Sequence, residues 1–281
     1  MHNGRYNFIK QLPSGGFGNV CVLFDKRTGR EVVVKSLITP NCDNRERFRR
    51  EASILFALRD HEHVVDILEA NLSLANPTIT LEHCKHGTLQ DWITNRGLFA
   101  PSEMKVGYAV QHAALGLHAI HRLNGFHRDV KPANLFIGEN NTGQLTIKLG
   151  DFGFGRLPNP QGLSHLTRRA GGTDGYIAPE LYRSYAVFTT ACDIYSLGIT
   201  GIELLTGSRD ADSLNRAWIF NGELKKLLAE MVSKDPKTRP TAWQVADRIR
   251  FVEKKANENT NLFLLGGIAL LGGLWLASKH K

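Results

Sequence analysis

Cysteine is scarce in this chain. Cys21, Cys42, Cys84 and Cys192 are the only four in 281 residues. None stands in a CxxC pair, which excludes a regular disulfide framework or zinc ribbon and fits free thiols in a reducing compartment. Long basic blocks are also missing. The formal charge of +8 is spread over groups such as Arg45, Arg47, Arg49, Arg50, Lys225 and Lys226. With neither zinc-finger spacing nor an aromatic RNA-binding signature, no nucleic-acid partner is expected. His61 and His63 flank Glu62 without the HExxH spacing, so they read as a polar turn rather than a zinc site. The start, Met1-His2-Asn3-Gly4-Arg5-Tyr6, has no apolar stretch, and amino-terminal export is not expected. No internal repeat is found. A balance of 42% apolar and 22% charged residues is ordinary for a globular chain.

What is present divides into two characters. Residues 6 to 81 alternate as a small sheet does, within a lobe expected to end near residue 84, with β-rich runs at Val20–Phe24 and Glu31–Lys35 around the turn Lys26–Arg30. One helix interrupts them: Phe48, Ala52, Leu55 and Leu58 form an apolar stripe, and Asp43 or Asn44 is the expected cap. From about residue 85 to 254 the chain turns mainly helical, with helix-length patterns at Met104–Leu123, Ala191–Leu205 and Leu224–Val232. Asn140–Gly143 reads as the turn of a hairpin. The expected fold class is α+β: a small β-rich lobe with one helix, joined to a larger helical lobe.

The chemistry concentrates in His127-Arg128-Asp129-Val130-Lys131-Pro132-Ala133-Asn134. Asp129 is suited to accept the proton of an attacking hydroxyl, Lys131 to steady charge on a moving phosphoryl group, and Asn134 to offer an amide oxygen to Mg²⁺. This run resembles the catalytic loop of the protein kinase family. Other motifs fit the same resemblance. The glycine-rich turn Leu12-Pro13-Ser14-Gly15-Gly16-Phe17-Gly18-Asn19-Val20 is similar to the loop that covers nucleotide phosphates, where glycine lets the backbone approach closely. Pro13 stands where the family has its first glycine, a departure that fixes φ and removes an N–H. Val32-Val33-Val34-Lys35 resembles the VAIK strand, and Glu51 lies where the family has the glutamate that pairs with its lysine. Leu81-Glu82-His83-Cys84 resembles the hinge run beside adenine. Asp151-Phe152-Gly153 resembles the DFG element, whose aspartate chelates Mg²⁺. Ala178-Pro179-Glu180 resembles APE, with Arg239 matching its partner arginine and Asp193 matching the anchor of the catalytic loop.

The resemblance covers residues 6 to 254 and implies a two-lobed kinase fold using ATP and Mg²⁺. It assigns catalysis to Asp129 and Lys131, and metal binding to Asn134 and Asp151. Nucleotide binding falls to Leu12, Gly15, Gly18, Val20, Val33, Lys35, Glu51, Glu82 and Cys84. Lys131 and Thr173 favour protein substrates with Ser or Thr acceptors. Arg128 and Arg156 form a candidate basic pocket for a phosphate on Ser164 or Thr167. The alternative is a pseudokinase or scaffold that keeps the fold for binding alone.

Beyond a polar linker at 255–261, Leu262 to Ala277 runs sixteen residues without a charge, followed by Ser278 and then Lys279, His280 and Lys281. As a helix this run is about 24 Å long, short against a hydrocarbon core of roughly 30 Å. Among a buried helix, an interfacial helix and a transmembrane anchor over 262–278, the anchor is expected, because no polar face exists and the kinase-like pattern has ended. Flanking lysines can snorkel to lengthen the span. Ala269, Gly273 and Ala277 present a small-xxx-small face for a helix partner in the membrane. The expected arrangement is single-pass, with the kinase-like part in the cytosol.

Overall fold

A computed structural model describes residues 4–13, 18–38, 41–94, 102–140, 142–158, 172–217, 219 and 222–250. Strands β1 (Tyr6–Leu12), β2 (Gly18–Asp25), β3 (Arg30–Leu37), β4 (Ile67–Asn71) and β5 (Thr78–Glu82) form one antiparallel sheet in the order β1-β2-β3-β5-β4. The period-2 pattern fixes its two faces. Leu23, Val32 and Val34 pack with Tyr6 and Cys21 on one side. Directly opposed residues share a face, so the pairings Leu12–Val20, Val20–Lys35 and Lys35–Ile79 set one row of side chains across four strands on the other side. Val33, two residues from Lys35, opposes Val22 and Leu81 in the adjacent row of that face.

Helix α1 (Cys42–Ala57) crosses this sheet with Phe48, Ala52 and Leu55 buried, as the stripe predicts. Its cap is Asn41, two or three residues earlier than the sequence suggested. Asn41 is extended at φ −84°, ψ 170°, which lets its side chain accept the N–H of Asn44 at 2.8 Å, whereas Asp43 and Asn44 are already helical.

The larger lobe is built on α3 (Glu103–Arg122) and α4 (Thr190–Thr206). Around them stand α2 (Leu89–Thr94), α5 (Ser213–Arg216), α6 (Gly222–Met231) and α7 (242–250). Helix α4 is buried along most of its length, from Cys192 to Leu204, which marks a central core helix. The hairpin β6 (Leu135–Glu139) and β7 (Leu145–Leu149) lies under the cleft. Its turn is held by Asn140, whose Oδ1 accepts the N–H groups of Thr142 and Gln144, and by Gly143 at φ +79°. One apolar cluster runs from Phe48 and Ile79 through Leu117, Leu135 and Leu149 to Ile194 and Leu228, so both lobes share a core. Among the described residues no helix is long and apolar enough to cross a membrane. The linker 255–261 and the expected anchor at 262–278 lie outside those residues.

Candidate active site

Lys35 on β3 points at α1, and its Nζ donates to both carboxylate oxygens of Glu51 at 2.7 Å. A third contact, 3.3 Å to Asp151 Oδ1, joins the pair to the segment after β7. Burial alone pulls the Lys35 ammonium down, but the two carboxylates outweigh it and hold the proton well above the usual lysine range. The same ammonium keeps Asp151 below the usual carboxylate range. Asp151 sits in the left-handed region at φ +59°, at the start of a 3-10 turn over Phe152–Phe154.

Asn134 brings the remaining groups together. Its amide nitrogen donates to the backbone oxygen of Asp129 at 2.8 Å and to Asp129 Oδ2 at 3.0 Å. Its own backbone oxygen accepts the N–H of Gly150 at 3.0 Å, beside Asp151. Asp129 is buried, with Oδ2 also meeting Lys131 Nζ at 2.8 Å and Oδ1 accepting the Thr173 hydroxyl at 2.8 Å. Lys131 donates to the same hydroxyl at 2.6 Å. A single network therefore holds Asp129, Lys131, Asn134 and Thr173, and Asn134 carries it to the segment of Asp151.

The loop that presents Asp129 is anchored from below. Asp193, fully buried on α4, accepts the N–H of His127 at 3.0 Å, the N–H of Arg128 at 2.8 Å and His121 Nε2 at 3.0 Å. Burial pushes this carboxylate up, and the hydrogen bonds from His121 and His127 more than reverse it. These bonds keep Arg128 at φ +73°, an unusual conformation for a side-chain-bearing residue. His127 spans the loop, with Nε2 donating to Gly150 O at 3.0 Å and Nδ1 accepting the Asp129 N–H at 3.3 Å, which sets its tautomer. Farther out, Arg239, with no exposed side chain, grips Glu180 through both Nη atoms at 2.6 and 2.8 Å. Loss of either partner leaves a buried charge alone.

The expected nucleotide residues fall in three groups. Leu12, Val20, Val33 and Lys35 share the sheet face described above, and Gly18 opens β2 beside Ser36, where a Cβ would stand 2.5 Å from the Ser36 oxygen. Gly15 lies outside the described residues. At the hinge, the Glu82 carboxylate is committed elsewhere, to Lys148 at 2.7 and 3.0 Å and to the N–H of Asp66 at 2.7 Å. Cys84 is buried, and desolvation pushes its thiol up to about 12. That shift disfavours the thiolate, the nucleophilic form.

Asn134 and Asp151 fit a hard cation by donor type. The Asn134 Oδ1 and Asp151 Oδ2 oxygens take part in no hydrogen bond among the described residues. No cluster of three or more His, Cys, Asp or Glu side chains suited to a metal exists among them either. Two oxygens are a sufficient protein share for Mg²⁺, which keeps waters and takes other ligands from phosphate. His61 and His63 do form a turn, with the His63 N–H on His61 Nδ1 at 3.2 Å.

Some contacts were not legible in advance. Arg47 lies over the Phe154 ring, 4.4 Å from its centroid, and its Nε reaches the Gly153 oxygen at 3.4 Å. Its spacing of four from Glu51 is the signal that both share one helix face. Of the candidate phosphate pocket, Arg128 lies over Phe188 and Arg156 pairs by backbone with Phe126. Ser164 and Thr167 lie outside the described residues.

Comparison with known proteins agrees with this geometry. The protein kinase domain family matches residues 6–249. Relatives include the probable serine/threonine-protein kinase zyg-1 of Caenorhabditis elegans, 27% identical over 259 residues, covering 92% of this chain and 35% of the relative. Serine/threonine-protein kinase pkn2 of Myxococcus xanthus is 33% identical over 213 residues, covering 73% of this chain and 25% of the relative. Serine/threonine-protein kinase KIC1 of Saccharomyces cerevisiae is 29% identical over 251 residues, covering 82% and 22%. The chain thus spans between 22% and 35% of the length of these curated relatives. With the motifs, the two lobes and the Lys35–Glu51–Asp151 and Asp129–Asn134 networks in one cleft, this chain belongs to the protein kinase family, in its serine/threonine branch.

Proposed function

We propose that the chain transfers the γ-phosphate of ATP to Ser or Thr hydroxyls of protein substrates, with Mg²⁺ held by Asn134 and Asp151. The observation that carries this reading is the Thr173 hydroxyl on Asp129 Oδ1 at 2.8 Å, with Lys131 on the same oxygen atom of Thr173. An acceptor hydroxyl placed there donates its proton to Asp129 as its oxygen attacks phosphorus. Lys131 balances negative charge on the transferred group. Lys35, aimed by Glu51, pairs with the nucleotide phosphates, while Leu12, Val20 and Val33 cover the base and Glu82 and Cys84 meet it by backbone. Gly15 and Gly18 let the loop approach the phosphates. When bound, Mg²⁺ neutralises phosphate oxygens and fixes their orientation.

The test is Mg-dependent incorporation of γ-phosphate by the full chain into a Ser/Thr protein substrate, with Asp129→Asn alongside. Incorporation should fall at least about a hundredfold in the variant. Equal incorporation by both proteins would overturn the assignment and favour a scaffold.

We further propose that residues 262–278 tether this activity to a membrane, with the kinase domain in the cytosol where ATP is available. Support comes from the sixteen uncharged residues Leu262–Ala277, with Lys254 and Lys255 upstream and Lys279 and Lys281 beyond. The full chain should stay with membranes through an alkaline carbonate wash. Release into the wash would sink the tether.

A further inference from the structure

The turn Thr173–Tyr176 links Asp129 to a second charged group. It closes with the Tyr176 N–H on the Thr173 oxygen at 3.1 Å. At Gly175, φ +92°, the backbone runs against Arg209, whose Cδ is 3.1 Å from where a Cβ would stand. Arg209 comes from the segment after α4 and is fixed in two directions. Its Nε donates to Glu203 Oε1 at 3.0 Å, and its guanidinium lies over the Tyr176 ring, 4.9 Å from the centroid. The Tyr176 hydroxyl takes Glu203 Oε2, so this buried carboxylate is filled from two sides. Yet 47% of the Arg209 side chain is exposed. A planar donor set that is already immobilised loses little rotamer freedom when it meets an anion, and its fork suits carboxylate or phosphate.

Position gives this a consequence for substrates. Gly175 lies two positions after Thr173, a span of at most about 7 Å. Of the acidic groups nearby, Asp210 is held by Arg216 at 2.9 Å and by the N–H of Asp212. Asp174 is exposed, makes no ion pair among the described residues, and acts in the opposite sense.

We propose that Arg209 is a specificity-determining residue, favouring an anionic side chain about two to four residues from the Ser or Thr acceptor and disfavouring a basic one. The inference rests on the reading of Asp129 as the acceptor's partner.

The experiment uses the full chain and matched peptides bearing one Ser acceptor, with Asp, phosphoserine, Ala or Arg at each flanking position. KM and kcat are measured, and binding of labelled peptides is followed separately by fluorescence anisotropy. At the responsive position, Asp or phosphoserine should lower KM about tenfold relative to Arg, with kcat little changed. Arg209→Gln should bring that ratio close to one while the Ala peptide is handled as before. Because this variant takes a partner from buried Glu203, Glu203→Gln/Arg209→Gln removes both charges and should show the same loss. Arg209→Lys should still reject the Arg peptide but lose part of the phosphoserine preference. A wild-type chain without charge preference, or a preference that survives both Gln variants, overturns the proposal. So does a preference for Arg that Asp174→Asn abolishes. The separate readouts distinguish failures: absent phosphate incorporation on every peptide counts against the role of Asp129, whereas the anisotropy ratios still decide on Arg209.

Discussion

His112 is a buried imidazole with no charge partner among the described residues. Its Nδ1 accepts the N–H of Ile147 at 3.2 Å and meets the Thr146 hydroxyl at 3.0 Å, while that hydroxyl also meets His63 Nδ1 at 3.1 Å. The rings of His63 and His112 are 4.2 Å apart. Desolvation, with a smaller contribution from His63, pulls His112 from 6.5 to about 3. Between these values the unfolded chain binds a proton that the folded chain refuses. Stability is therefore complete above about pH 6.5 and falls as the pH drops through that window, by at most about 1.4 kcal/mol per unit. His112→Asn keeps an acceptor for Ile147 but does not titrate, so urea midpoints measured across this range should vary less than in the wild type. No sequence signal pairs residues 63 and 112, because their meeting depends on where β7 lies against α3. The candidate site residues were legible for the opposite reason: Asp129, Lys131 and Asn134 sit within one loop, and Lys35, Glu51 and Asp151 each lie in a motif of fixed spacing. The Tyr176–Glu203–Arg209 contact was hidden, since it depends on how the chain returns after α4.

At the scale of elements, α3 packs against β7 and the turn before β4 through Gly116. A Cβ there would lie 2.5 Å from the His63 oxygen and 3.1 Å from Leu149 Cβ. The obstructing oxygen is backbone, so it has no rotamer by which to yield. Gly116→Ala should destabilise the fold by about 1–3 kcal/mol despite its better helix propensity. A raised thermal midpoint would contradict this close approach. Helices α3, α4 and α6 could be read from their apolar periodicity to within two residues at each end. The start of α1 was harder, because Asn41, Asp43 and Asn44 are all good caps and only the extended backbone at Asn41 selects among them. The bulge between Phe8 and Lys10 in β1 left no trace in the alternation either.

For the whole molecule, the boundary near residue 84 that divides β-rich from helical sequence is not a boundary between folding units. The core is continuous across it. Strand β7 of the larger lobe is tied to the smaller one by Val65 N–H on Leu149 O and Leu149 N–H on His63 O, both at 2.9 Å, and by Lys148 on Glu82 at 2.7 Å. Calorimetry of the full chain should accordingly show one cooperative transition for the described part, with calorimetric and van't Hoff enthalpies in agreement. Two resolved transitions would show that the lobes melt separately. The bond between Lys148 and Glu82 has a practical corollary. A polypeptide cut after Lys85 would leave half-buried Glu82 in one fragment and buried Lys148 in the other, each awaiting its mate, and a strand awaiting its neighbour. Co-expressed halves should recognise one another, and fusing them to two candidate binding proteins would make phosphorylation a report of whether those proteins meet.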